Sequence, residues 1–126
     1  MATVKCFEEL KVWQEAQQFA IDMFRLTDAR TTRFDRDLAN QMRRACVSIS
    51  SNIAEGFEKN SRPEFARYLL IAKGSAGEVR TQLHLAHALK FFDDSRHAEL
   101  HDRIVKISSM LAKLIKYLKK LKPGGK

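Results

Sequence analysis

Arg103, Lys106, Lys113, Lys116 and Lys120 recur at spacings that gather them, at about 100° per residue, into an arc of about 140° on one helix. Opposite them runs the apolar stripe Leu100, Ile104, Leu111 and Leu118. Flexible cationic side chains along one line can neutralise successive phosphates and release their counterions without reading bases. A solvated charged face has the same pattern and is the bland alternative. Tyr117 is the one aromatic near this row, so stacking of single-stranded bases finds little support.

Gln41, Ser48, Asn52 and Glu55 stand at i, i+7, i+11 and i+14, a polar stripe beside an apolar helical face. Buried amides and carboxylates are costly when unpaired, so the stripe reads first as a hydrogen-bonded seam between helices or subunits and second as a ligand site. Arg43 and Arg44 join this group as partners for Glu55, Glu78 or a neighbouring subunit, with contact to RNA as the alternative. His84-x-x-His87 and His97-x-x-x-His101 have helical metal-ligand spacings and flank one turn. No Glu-x-x-His pair of the di-iron bundle type accompanies them, so they are expected as rim histidines, and no metal or other cofactor is assigned. Cys6 and Cys46 have no histidine nearby in sequence and read as packing thiols. The pair Gly74-x-x-Gly77 falls inside a helical pattern, not in a phosphate loop after a strand. No catalytic residue is expected, and the chain is not expected to be an enzyme.

Four periodic segments must position these groups. The first runs from about Glu8 to Leu26, with Leu10, Trp13, Ala16, Ala20, Met23 and Phe24 along one face. Asp35 is placed to cap the second, in which Leu38, Met42, Ala45, Ile49 and Ile53 lead to Gly56 as the terminal punctuation. Ser61-Arg62-Pro63-Glu64 has the capping-box form and opens the third, apolar on one face from Phe65 to about Leu89. Gly74 and Gly77 each cost that helix about 1 kcal/mol relative to Ala and are expected to permit close packing. Asp93-Asp94-Ser95 starts the fourth, which runs to Pro123-Gly124-Gly125. Four amphipathic helices with short connections predict an all-α, antiparallel up-down-up-down four-helix bundle. One domain over residues 1–122, followed by a tail at 123–126, is the expected organisation.

The 126 residues are 44% hydrophobic and 30% charged, with 5 Gly and 2 Pro, which disfavours a turn-rich β fold and a wholly disordered chain. The net charge of +8 is concentrated: residues 1–95 hold 14 Lys/Arg against 13 Asp/Glu, whereas residues 96–126 hold 9 against 2. Such asymmetry favours a polyanionic partner. No apolar stretch approaches the roughly 20 residues that span a bilayer, and Met1–Lys11 has no signal core, so a cytoplasmic protein without a membrane partner is expected.

The run Gln41-Met42-Arg43-Arg44-Ala45-Cys46-Val47-Ser48-Ile49-Ser50-Ser51-Asn52-Ile53-Ala54-Glu55-Gly56 resembles the four-helix-bundle family of bacterial 23S rRNA intervening-sequence proteins. The likeness continues through Phe7-Glu8-Glu9-Leu10-Lys11-Val12-Trp13 and Ile71-Ala72-Lys73-Gly74-Ser75-Ala76-Gly77-Glu78, and covers about residues 7 to 118. It extends to the accessory variability determinant of diversity-generating retroelements, a basic nucleic-acid-binding partner of a reverse transcriptase. The resemblance implies a cytoplasmic bundle that assembles as a homopentameric ring and carries no catalytic residues. The combined expectation is a non-enzymatic oligomeric accessory protein that binds RNA or DNA through the basic face of its last helix, with a protein partner such as a reverse transcriptase. The competing expectation is a structural or protein-interaction scaffold with no nucleic-acid ligand, its lysines serving solubility.

Overall fold

A computed structural model describes residues 4–121. After a single 3-10 turn at Phe7–Glu9 come four helices: α1 at Lys11–Leu26, α2 at Arg36–Glu58, α3 at Arg62–Ala88 and α4 at Asp94–Lys120. There is no strand among the described residues, and the helices pack on one another as an all-α four-helix bundle. Phe34, from the α1–α2 connection, packs on Phe91 and Phe92 of the α3–α4 connection with ring centroids 5.1 and 5.0 Å apart. Those two turns therefore share one end, and α2, α3 and α4 alternate in direction. The α2–α3 turn and the end of α4 occupy the other end.

Local chemistry fixes three of the four helix starts. Asp35 accepts from the Leu38 N–H at 2.8 Å, Asp93 from the Arg96 N–H at 2.8 Å, and Ser61 from the Glu64 N–H at 3.4 Å. Each satisfies one of the N–H groups that a helix N-terminus leaves without a partner. The Glu64 carboxylate takes the Arg67 guanidinium at 3.1 Å, so the second half of a capping box gives way to an ion pair. The first helix begins later than its periodicity predicts. Leu10 is extended at φ −73°, ψ 124°, which separates the 3-10 turn from α1 and moves the start from about Glu8 to Lys11. The buried line of α1 is Val12, Ala16, Phe19, Ala20 and Met23; Trp13 is half-buried at its margin and Phe24 is 43% exposed.

The helix ends differ from the sequence reading in an informative way. Gly56 does not end α2, which continues to Glu58, with Lys59 as cap and Asn60 at φ 55°. Gly56 is instead buried where α2 meets α3: a Cβ there would stand 2.5 Å from Tyr68 Cβ and 3.2 Å from Phe65 Cδ1. Gly74 and Gly77 were the glycines expected to permit close packing, yet a Cβ at either would meet nothing within 4 Å of the same chain. At the end of α3 the Lys90 N–H bonds the His87 carbonyl at 3.0 Å and the Phe91 N–H bonds the Ala86 carbonyl at 2.9 Å. This pairing turns the chain through a left-handed residue, here Lys90 at φ 66°. The helix α4 closes at Leu121, and the expected stop at Pro123-Gly124-Gly125 lies outside the described residues, as does the 123–126 tail.

Gly56→Ala is expected to lower the unfolding free energy by about 1–3 kcal/mol, because overpacking against the Tyr68 stem outweighs the gain of about 1 kcal/mol in helix propensity. Lys90→Gly is expected to raise it by up to about 1 kcal/mol by removing a side chain from a left-handed position. Urea unfolding of the two variants should move the midpoint in opposite directions.

Candidate nucleic-acid interface

The five basic residues of the last helix do not form one equivalent row. Arg103 is turned toward α1, where it donates to Asp22 Oδ2 at 2.8 Å, with Glu99 Oε2 at 3.4 Å on its own helix. Its guanidinium carbon lies 5.2 Å from the centre of the Phe19 ring, and the side chain is only 27% exposed. Lys106 Nζ lies 3.7 Å from Glu15 Oε2. Glu15 and Asp22, seven residues apart on α1, thus receive the two cations where α4 meets α1. Their i, i+7 spacing was the sequence signal for this clasp.

Lys113, Lys116 and Lys120 are exposed, and Lys119 joins them near the end of α4. There Lys119 and Lys120, in the last turn, also complement the partial negative charge of the helix C-terminus. Across from Lys119 is the first part of α3. An open groove of about 570 Å3 separates the two elements, with Ala66, Leu70 and Ile115 in its wall and Arg62, Arg67 and Lys119 at its rim. Arg67 also lies 4.7 Å from the centre of the Tyr68 ring, and Tyr117 on α4 is 37% exposed. Arg62, Arg67 and Lys119 escaped the sequence reading because they belong to the margins of two separate helices. The antiparallel order that brings the start of α3 to the end of α4 was the available clue.

The polar stripe of α2 divides in the same manner. The Ser48 and Ser75 hydroxyls bond at 2.8 Å between α2 and α3. The Asn52 amide donates to the Ser48 carbonyl at 2.7 Å and to its hydroxyl at 3.0 Å. Gln41, Arg44 and Glu55 are exposed. Arg43 reaches neither Glu55 nor Glu78: it donates to Thr27 Oγ1 at 3.0 Å and to the Phe24 carbonyl at 3.1 Å, and its guanidinium carbon lies 4.8 Å from the Phe24 ring centre. The Thr27 hydroxyl donates in turn to the Met23 carbonyl at 2.7 Å. A cation placed on the last carbonyls of α1 satisfies acceptors that the helix itself cannot pair. Thr27 and Ser75 went unnoticed in sequence because their partners are 16 and 27 residues away.

All four histidines of the chain meet at the opposite end, between the last turns of α3 and the first turns of α4. His87 Nε2 stands 2.7 Å from Asp94 Oδ1, and this bond holds the Asp94 carboxyl below the usual range. Burial first, and then the neighbouring His87, His84 and His101, push the His97 imidazole below its ordinary value. His84 is exposed while the other three are half-buried, so the expected rim histidines form a cluster. Burial pushes the Cys46 thiol up to about 12, and desolvation followed by Glu9 raises Cys6. Neither thiol has the lowered pKa of a nucleophile. No helix among the described residues is long and apolar enough to cross a membrane.

With that geometry in place, comparison with known proteins gives the lineage. A family model described as 23S rRNA-intervening sequence protein matches residues 8–113. The fold is similar to a crystal structure of a protein with unknown function from the S23 ribosomal protein family of Bacteroides thetaiotaomicron, with a TM-score of 0.74 and 23% identity over 83% of this chain and 95% of that one. No curated protein matches the chain at a significant level.

Arg103→Ala is expected to lower stability by about 1 kcal/mol, since it removes a part-buried ion pair and a cation–π contact together. Thermal unfolding checks this against Lys113→Ala, which should leave stability within about 0.5 kcal/mol of the parent. Thiol alkylation of the folded protein should spare Cys46 until denaturant is added, as read by intact mass.

Proposed function

The chain belongs to the family of 23S rRNA-intervening sequence proteins, and from that premise we propose that it is a non-enzymatic, self-associating accessory protein that holds nucleic acid by its phosphates. The observation that carries this reading is the wet lysine row at the end of α4. Among the described residues, no carboxylate lies within ion-pair distance of Lys113, Lys116, Lys119 or Lys120. Cations without an internal partner are free to replace the counterions of a polyanion, which supports salt-dependent binding indifferent to sequence. Arg103 and Lys106, engaged with acids of α1, take a smaller share of phosphate contact in this reading. RNA and DNA are both accommodated, because phosphate is what the row meets.

Self-association, as a homopentamer in this reading, draws support from the outer side of α3. Leu70 and Leu89 there are 58% and 55% exposed, and Ile71 and Leu85 are exposed beside them. That stretch of apolar surface favours burial against a further helix. It equally favours the second reading, a scaffold for a protein partner in which the lysines provide solubility.

A salt titration distinguishes the two. Binding of an RNA or a DNA duplex should weaken linearly in log affinity against log salt. The triple variant Lys113→Glu, Lys116→Glu, Lys120→Glu should abolish binding while its unfolding temperature stays close to the parent's. A flat salt response in the parent would remove the nucleic-acid reading and leave the scaffold. Mass measurement in solution addresses assembly: several copies are expected, and Leu85→Asp on the outer side of α3 should reduce the number.

A further inference from the structure

We propose that His84, His97 and His101 form a binding site for one divalent transition-metal ion of the zinc class. The three ring centroids make a nearly regular triangle, with 5.1 Å between His84 and His97, 5.3 Å between His84 and His101, and 5.7 Å between His97 and His101. Imidazoles bound to one tetrahedral ion through nitrogens at about 2.0–2.1 Å have centroids roughly 5 Å apart. The triangle therefore already has the dimensions of a three-imidazole site. Two of its corners, His97 and His101, are four residues apart on α4, and the third comes from α3 across the hairpin.

A second observation points to a missing partner. His97 Nδ1 is buried and makes no hydrogen bond of proper geometry, although the Leu83 backbone lies close enough to the imidazole to favour its charged form. A buried imidazole nitrogen left in that condition is costly, and a metal ion is one of the few partners that could satisfy it among other imidazoles. As the rings stand, no three nitrogens, carboxylates or thiolates among the described residues converge on one point. Metal binding on this proposal requires rotation about χ2, whose axis runs close to the ring centre. Such rotation moves the nitrogens while leaving the centroids almost in place, and the χ2 well of histidine is broad.

His87 belongs to the cluster without being a ligand. Its ring centroid is only 4.2 Å from that of His97, closer than the roughly 5 Å that separates two imidazoles on one tetrahedral ion. Its Nε2 is engaged with Asp94, so His87 supports the His97 ring from behind. A donor set of neutral imidazoles favours Zn2+, Ni2+ or Cu2+ over the hard ions Mg2+ and Ca2+. With His84 exposed, the fourth coordination position faces water. The site ties α3 to α4 at the end of the bundle away from the lysine row and is independent of the nucleic-acid reading.

The test uses the untagged full chain near pH 7.5, with Co2+ as an optical probe and Zn2+ in calorimetry. One Co2+ per chain, with the visible absorption of tetrahedral cobalt, is expected. So is a rise in unfolding temperature with Zn2+ that Mg2+ does not reproduce. His84→Ala, a change at an exposed position, should weaken binding at least tenfold, as should His101→Ala, while His87→Ala should retain one-to-one binding. Absence of cobalt absorption and of any Zn2+ effect on unfolding at millimolar metal would overturn the site. Titration of His84→Ala indistinguishable from the parent would do the same.

Discussion

Leu100, Ile104, Ile107, Leu111 and Ile115 are the buried stripe of α4, and the rotation that buries them decides the role of every other side chain on that helix. Fully burying an aliphatic side chain contributes about 1.5–3 kcal/mol, whereas an exposed ion pair contributes about 0–1 kcal/mol. The five aliphatics therefore set the orientation, and the cations take the consequences. Arg103 and Lys106 come to face acids of α1; Lys119 and the ring of His97 come to face α3; Lys113, Lys116 and Lys120 are left in water. A single amphipathic helix thereby contributes a clasp, a wet basic row and half of a histidine cluster.

The antiparallel order then sorts these parts to opposite ends. Phe34, Phe91 and Phe92 close one end, and the four imidazoles lie beside them along the α3–α4 seam. The other end collects Arg62, Arg67 and Lys119, drawn from the start of α3 and the end of α4. Neither grouping exists in any one segment. Both arise because a hairpin of two 27-residue helices returns the chain to where it began.

What was legible in the sequence was what depends on neighbours within about one turn. Asp35, Ser61 and Asp93 were readable as caps because a cap bonds an N–H group three residues on. Four helices and their order followed from periodicity, and the family could be recognised from the string at residues 41–56. Gly56 was misread because a helical glycine can end a helix or admit another, and only the position of Tyr68 distinguishes the two. The late start of α1 was hidden because Leu10 and Trp13 fit the apolar period whether or not the backbone bends at Leu10. The pairing of Arg43 was hidden because its acceptors are the ends of another helix, which no spacing within α2 reveals. Of the basic row, the spacing located all five residues on one arc but could not say which of them would meet an acid on α1.

Gly74 and Gly77 are the part of α3 that a single chain does not use. Each costs the helix about 1 kcal/mol relative to Ala, and neither is matched by a close contact within the chain, unlike Gly56. The same helix leaves Leu70, Ile71, Leu85 and Leu89 in water. A helix apolar on both sides belongs between two packing partners, and the bundle supplies only one of them. In the proposed assembly a further helix approaches this outer side, and the absent Cβ atoms let the two backbones come close. On that proposal the glycines and the exposed aliphatics would share one physical cause: one face of α3 serves the core of its own chain, and the other is left for contact between copies.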